Sequence, residues 1–312
     1  EFMQAFWGIE AAQAKAFQRL ASFVRQNRAL PYLSQFVELI TFAMKTHTDS
    51  LQLQLDGCSL LLEILSQALE QDVVMNLDEH VISNLLDTVR KHSENEDLLS
   101  LVCTVLMMIS ASEVAAENLR KVGAIPDLLS ILRNFLHNEK ICLPCCGVLW
   151  SLASSDNIDQ ALLKSAVPVT SAVLQEHLQN GPVTESACSA LWALSLQGCL
   201  TENDYEPTTA LLLDALRMNL ERPVLVKTVC RALASLLRLS EIAALSFITD
   251  SKGSGINLIK ETCHLHFNDP EVVGSICVLM DEMAQYDDVV LDMVSQKMEE
   301  LLFEIKSHFP SS

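Results

Sequence analysis

A cysteine returns at nearly constant intervals along this chain: Cys58, Cys103, Cys146, Cys188, Cys230 and Cys277, separated by 45, 43, 42, 42 and 47 residues. Three residues after each stands Leu61, Leu106, Leu149, Leu191, Leu233 or Met280. Six after each stands Ile64, Ile109, Leu152, Leu194, Leu236 or Met283. On an α-helix, positions i, i+3 and i+6 fall within about 120° of one another. Each cysteine therefore begins the buried face of an equivalent helix. Ala14, Phe17 and Leu20 extend the pattern one repeat earlier, with alanine in place of cysteine. A small apolar residue suits a point where neighbouring helices approach closely, and a reduced cysteine behaves there as a small hydrophobe.

Around each cysteine helix the same elements recur. A second amphipathic helix precedes it, expected over about 30–45, 79–92, 125–137, 167–178, 206–219, 256–266 and 295–308. A shorter first helix fills part of the remaining length, as at 113–121, 156–165, 240–250 and 287–293. Gly123 ends one helix and Pro126 suits the first turn of the next. Asn180-Gly181-Pro182, Glu221-Arg222-Pro223 and Asn268-Asp269-Pro270 read as helix starts. Two or three helices per unit at a period of 42–47 residues are the signature of armadillo and HEAT repeats. The expected fold is an all-α solenoid of about seven such repeats in a right-handed superhelix. It forms one domain over 3–309, since no single repeat buries its own face. Glu1 and Phe2 ahead of Met3 read as a cloning scar, and 310–312 as a tail. Ser251 to Gly255 reads as a turn inside one repeat.

Composition agrees with helices and narrows function. Half of the residues are hydrophobic, only 5% are aromatic, and Gly and Pro number 9 each, which disfavours sandwiches and barrels. The net charge of −19 opposes binding to a phosphate backbone or an anionic membrane and favours a basic protein partner. The charge is uneven: residues 1–45 are mildly basic, while ten acids between Asp269 and Glu304 face only Lys297 and Lys306. The longest uncharged stretches, 98–112, 141–155 and 186–201, are broken by polar residues or proline and read as buried helices. Ten cysteines without a small disulfide framework point to a reducing compartment, hence to an intracellular and cytoplasmic protein.

The stretch from Gly123 to Leu132, with Gly147-Val148-Leu149-Trp150-Ser151-Leu152 and Ala190-Leu191-Trp192-Ala193-Leu194-Ser195, resembles the armadillo family. In its import receptors and catenins the third helix carries Trp and, three residues later, an Asn that clamps an extended peptide. Here the clamp position holds Leu65, Ser110, Ala153, Ser195, Leu237 and Ala284. None offers an amide, which argues against capture of nuclear-localisation peptides. Trp150 and Trp192 remain candidate apolar anchors for a partner, with Ser110 and Ser195 as a polar rim. No catalytic residue, cofactor site or metal site is expected. The single Cys142-x-x-Cys145 and the Cys263-His264-Leu265-His266 cluster lack matching ligands. Lys252-Gly253-Ser254-Gly255 is too short for a phosphate loop, and hydrolase, metalloprotease and kinase motifs are missing. Asp287-Asp288 reads as solvated surface.

Three further stretches, 50–69, 191–200 and above all 253–273 (GSGINLIKETCHLHFNDPEVV), resemble the C-terminal region of the serine/threonine kinase-like domain-containing proteins, vertebrate pseudokinases. The resemblance runs in matching order over most of the chain. It implies a scaffold attached to a kinase-like domain whose own residues are absent from this sequence. Two roles follow: a non-catalytic, monomeric scaffold for a protein partner, or an intramolecular module that docks on its own kinase-like domain. A third, weaker expectation is self-association through Phe6, Trp7 and Ile9.

Overall fold

The computed structural model describes residues 2–26, 33–73, 75, 77–154 and 160–309. The chain divides into two compact units, Glu1–Ile158 and Asp159–Ser312. In the first, a short α1 (Phe2–Ala5) leads into α2 (Glu10–Gln26), the helix built on Ala14. The pairs α3 (Leu33–Thr46) with α4 (Leu51–Glu70) and α5 (Glu79–Lys91) with α6 (Glu96–Ser110) follow. The triplet α7 (Glu113–Lys121), α8 (Ala124–Asn134) and α9 (Glu139–Ala153) completes it. The second unit contains α10 (Gln160–Lys164), α11 (Ala166–Glu176), α12 (Gly181–Leu196), α13 (Glu202–Met218), α14 (Pro223–Leu239), α15 (Glu241–Thr249), α16 (Gly255–Leu265), α17 (Pro270–Met283), α18 (Asp287–Ser295) and α19 (Met298–His308). The described residues contain helices and no strands. The expected helix starts at 30 and 156 lie outside the described residues. Phe2 begins α1, with its ring centroid 5.1 Å from that of Phe6.

Within each unit the cysteine helices, hereafter third helices, pack in sequence: α2 on α4, α4 on α6 and α6 on α9; then α12 on α14 and α14 on α17. The preceding helices form a second row, with α3, α5 and α8 in one unit and α11 and α13 in the other. The positions three and six after every cysteine are buried, as are Cys58, Cys103, Cys146, Cys188 and Cys230. Cys277 departs from this pattern and is only half-buried. It lies on α17, where the row of third helices ends among the described residues. The short first helix is absent between α4 and α5 and between α12 and α13 among the described residues; α4 and α13 are longer, at 20 and 17 residues.

One local device sets the repeat. Eleven residues before each cysteine stand His47, His92, Phe135, His177, Asn219 and His266, at the ends of the second-row helices. Three residues later the next helix begins at Ser50, Asn95, Asn138, Asn180, Arg222 or Asp269. The backbone N–H of each of these donates to the carbonyl of the first set at 2.8–3.1 Å. Ser50, Asn95, Asn138, Asn180 and Asp269 also cap their helices, each accepting a backbone N–H with its side chain. The side chains at the helix ends reach back to the preceding repeat: His47 to Trp7 O and His92 to Thr48 O, both at 2.8 Å. In the second unit Asn219 donates to Leu178 O at 2.8 Å and His266 reaches Leu220 O at 2.6 Å. A carbonyl only accepts, so the histidine Nε2 carries the hydrogen.

Two local features depart from regular helix geometry near the third helix α9. Pro144 lies inside α9 and cannot bond the Lys140 carbonyl; Ser100 Oγ of α6 donates to that oxygen at 3.2 Å. Gly123 ends α7 in the left-handed region, φ 74°.

Candidate functional site on the third helices

Every third helix has the same angular plan. Counting from the cysteine at about 100° per residue, positions −1, +2, +3, +6 and +7 lie between about −160° and −20°, and this arc is buried in most repeats. Positions −3, +1, +4 and +8 cluster between about 40° and 100° and form an open stripe. In the first unit position +4 is Leu62, Met107 and Trp150 in successive repeats. Trp150 is 45% exposed, while Leu62 and Met107 are half-buried. At the C-terminal ends of α4 and α6, a cavity of about 320 Å³ is lined by apolar side chains including Leu65, Leu69, Met107 and Ile109.

In the second unit position +4 is Trp192, Ala234, which is buried and interrupts the stripe on α14, and the exposed Asp281. Trp192 is half-buried, and the Arg231 guanidinium lies 5.8 Å from its ring centroid. Arg231 occupies position +1 and Arg238 position +8 of α14, both exposed. Lys227, at −3, pairs with Glu271 of α17. Trp150 and Trp192 thus belong to different units, each on the open stripe of its own.

Ser110 and Ser195 do not form a rim. They are 4% and 1% exposed. Ser110 Oγ bonds Met107 O at 2.9 Å and Ser151 Oγ at 3.2 Å. Ser195 Oγ bonds Trp192 O at 2.6 Å and Ser235 Oγ at 3.0 Å. The reason is angular: position +7 lies only about 20° from the cysteine, inside the buried arc. These hydroxyls join neighbouring third helices. The same angular arithmetic identifies Leu62, Met107, Arg231 and Arg238, which a search guided by the tryptophans passes over.

Several of the buried thiols are held protonated by their surroundings. Burial pushes the thiols of Cys58 and Cys230 up to about 12 and that of Cys263 up to about 11, so thiolate is scarce near neutrality. Cys145 is also raised, chiefly by its hydrogen bond with Cys103, Sγ to Sγ 3.4 Å, and by burial. Cys142 Sγ donates to Leu136 O at 3.3 Å. His264 lies 3.7 Å from Glu304, while His266 closes the repeat link. Among the described residues no group of three His, Cys, Asp or Glu could hold a metal ion. No described helix is long and apolar enough to cross a membrane. Asp287 and Asp288 occupy the exposed first turn of α18, where negative charge is favoured. Phe6 and Ile9 are exposed, whereas Trp7 packs on Phe42 with ring centroids 4.0 Å apart.

Helical repeats stacked through shared buried arcs, each leaving one open stripe, define an all-α, armadillo-type repeat protein. The family model described as LRRK2 ARM repeat matches residues 30–195, just over half of the chain, and the chain belongs to that family. Crystal structures of three engineered proteins share the fold. One aligns with 97% of this chain and 82% of its own at a TM-score of 0.62 and 15% identity. The others cover 82% of this chain and 100% and 98% of theirs, with TM-scores of 0.55 and 0.54 and identities of 15% and 13%.

Proposed function

We propose that this chain is a non-catalytic protein-interaction scaffold, a single armadillo-type solenoid domain over 3–309 that holds a protein partner on the open stripes of its third helices. The observation that carries this reading is Trp150, a large aromatic side chain left 45% exposed on a stripe continued by Met107 and Leu62. Tryptophan is strongly enriched among residues that dominate binding energy. Trp192 is its counterpart in the second unit. The stretches at 50–69, 191–200 and 253–273 support placing the domain in a pseudokinase-like protein. The ten free cysteines support a reducing, intracellular and cytoplasmic setting, and the protein is proposed to act as a monomer.

The test is capture of protein partners by the immobilised chain, beside the Trp150→Ala and Trp192→Ala variants. A partner retained by the parent and lost with either variant, at unchanged helix content by circular dichroism, is the expected result. Equal retention by the parent and both folded variants would remove the anchors and the reading with them.

A further inference from the structure

We infer that the open face of α12, α14 and α17 docks an acidic protein segment bearing an apolar side chain; this deepens the scaffold reading and rests on it. Its middle helix, α14, stands against the charge of the whole chain, while the exposed Asp281 of α17 marks the acidic edge of the face. Within a protein of net charge −19, α14 carries Lys227, Arg231 and Arg238 and no Asp or Glu. Two cations of the region already have carboxylates: Lys227 pairs with Glu271, and Arg222 lies 3.7 Å from Glu185. Arg231 and Arg238 pair with no carboxylate among the described residues.

Geometry suits them to carboxylates. Seven residues along a helix separate the two arginines by about 10 Å, which matches carboxylates three residues apart in an extended segment. The Trp192 ring supports the Arg231 guanidinium by a cation–π contact. Such stacking uses the flat face and leaves the N–H donors of the rim for a bidentate carboxylate. Leu196 and Val278, each 53% exposed, and Val224, 50% exposed, stand among these cations and give an apolar side chain its contact.

Position 222 adds an independent sign. Five of the six repeat links place Ser, Asn or Asp at the helix cap, whereas α14 has Arg222 there, with no side-chain cap bond. A residue that forgoes a cap at the start of the one cation-only third helix breaks a local rule in the manner of functional sites. The overall charge favours a basic partner, but the charge within a Debye length of this face is what a docked segment meets.

The experiment is a fluorescence-anisotropy titration of the full chain with three short labelled peptides: glutamates flanking one phenylalanine, the same with lysines, and the same with glutamines. The glutamate peptide should bind tightest, weaken with added salt, and lose about tenfold or more in affinity on Arg231→Glu. Arg133→Glu, the same charge change at an exposed position of α8, should leave it within about twofold. Failure of the glutamate peptide to bind, or equal loss with both variants, overturns the inference. Tighter binding of the lysine peptide, abolished by Trp192→Ala, overturns the acidic assignment while the scaffold reading stands. That reading is judged separately by partner capture on the tryptophan variants.

Discussion

At the scale of single residues, the repeat is written in two kinds of position: a small thiol at the margin of the buried arc, and a cap eight residues before it. Arg222 is the one cap without an acceptor side chain. Arg222→Asn should therefore raise stability by about 0.5–2 kcal/mol, since the exposed pair with Glu185 contributes little. A higher melting temperature is the expected measurement. An unchanged or lower one would show that packing of the guanidinium over Gly181 outweighs the missing cap. The thiols give a pH-dependent prediction. Cys58 and Cys230 ionise near 12 in the folded chain against an ordinary value of 9.0. Above pH 9 the unfolded chain releases protons that the folded chain keeps, so these groups lower stability progressively between 9 and 12 and are neutral in effect below 9. Urea midpoints should fall over that window, and less steeply in a Cys58→Ala/Cys230→Ala variant; equal slopes would contradict this.

At the scale of elements, tight helix contacts decide what a position tolerates. A Cβ on Gly57 of α4 would stand 2.6 Å from Met44 Sδ and 3.2 Å from the Phe17 ring. Alanine gains about 1 kcal/mol in helix propensity, but overpacking typically costs about 1–3 kcal/mol. Gly57→Ala should lower the urea midpoint; a raised midpoint would mean that Met44 swings aside. The sequence made the elements legible because cysteine and leucine recur at helical spacing, and α7 was expected at 113–121, the bounds it occupies. The site was legible only in part. Trp150 and Trp192 stand out as rare residues at a recurring position. Ser110 and Ser195 were misplaced because family analogy pointed at position +7, while the helix angle placed it under the cysteine. Arg231 and Arg238 were hidden by an overall charge of opposite sign. The link between His92 and Thr48 joins residues 44 apart, and no local pattern announces such a bond.

At the scale of the molecule, charge and modularity set the behaviour. With a net charge of −19 and ten acids between Asp269 and Glu304, self-repulsion opposes the compact state at low salt. The melting temperature should rise when salt increases from about 10 to about 150 mM, because screening relieves the repulsion; a fall would assign the net electrostatic contribution to the ion pairs instead. The three-residue link between the second-row and third helices carries a different consequence. Its helix end and helix start are joined by a bond within the link itself, at 47–50, 92–95, 135–138, 177–180, 219–222 and 266–269. A stretch excised from one link to the next keeps that joint intact at its seam, whichever copy follows. Duplication or loss of a whole period is therefore the change in length that such a chain absorbs most readily, and insertions within a period are the ones it must bulge to accommodate.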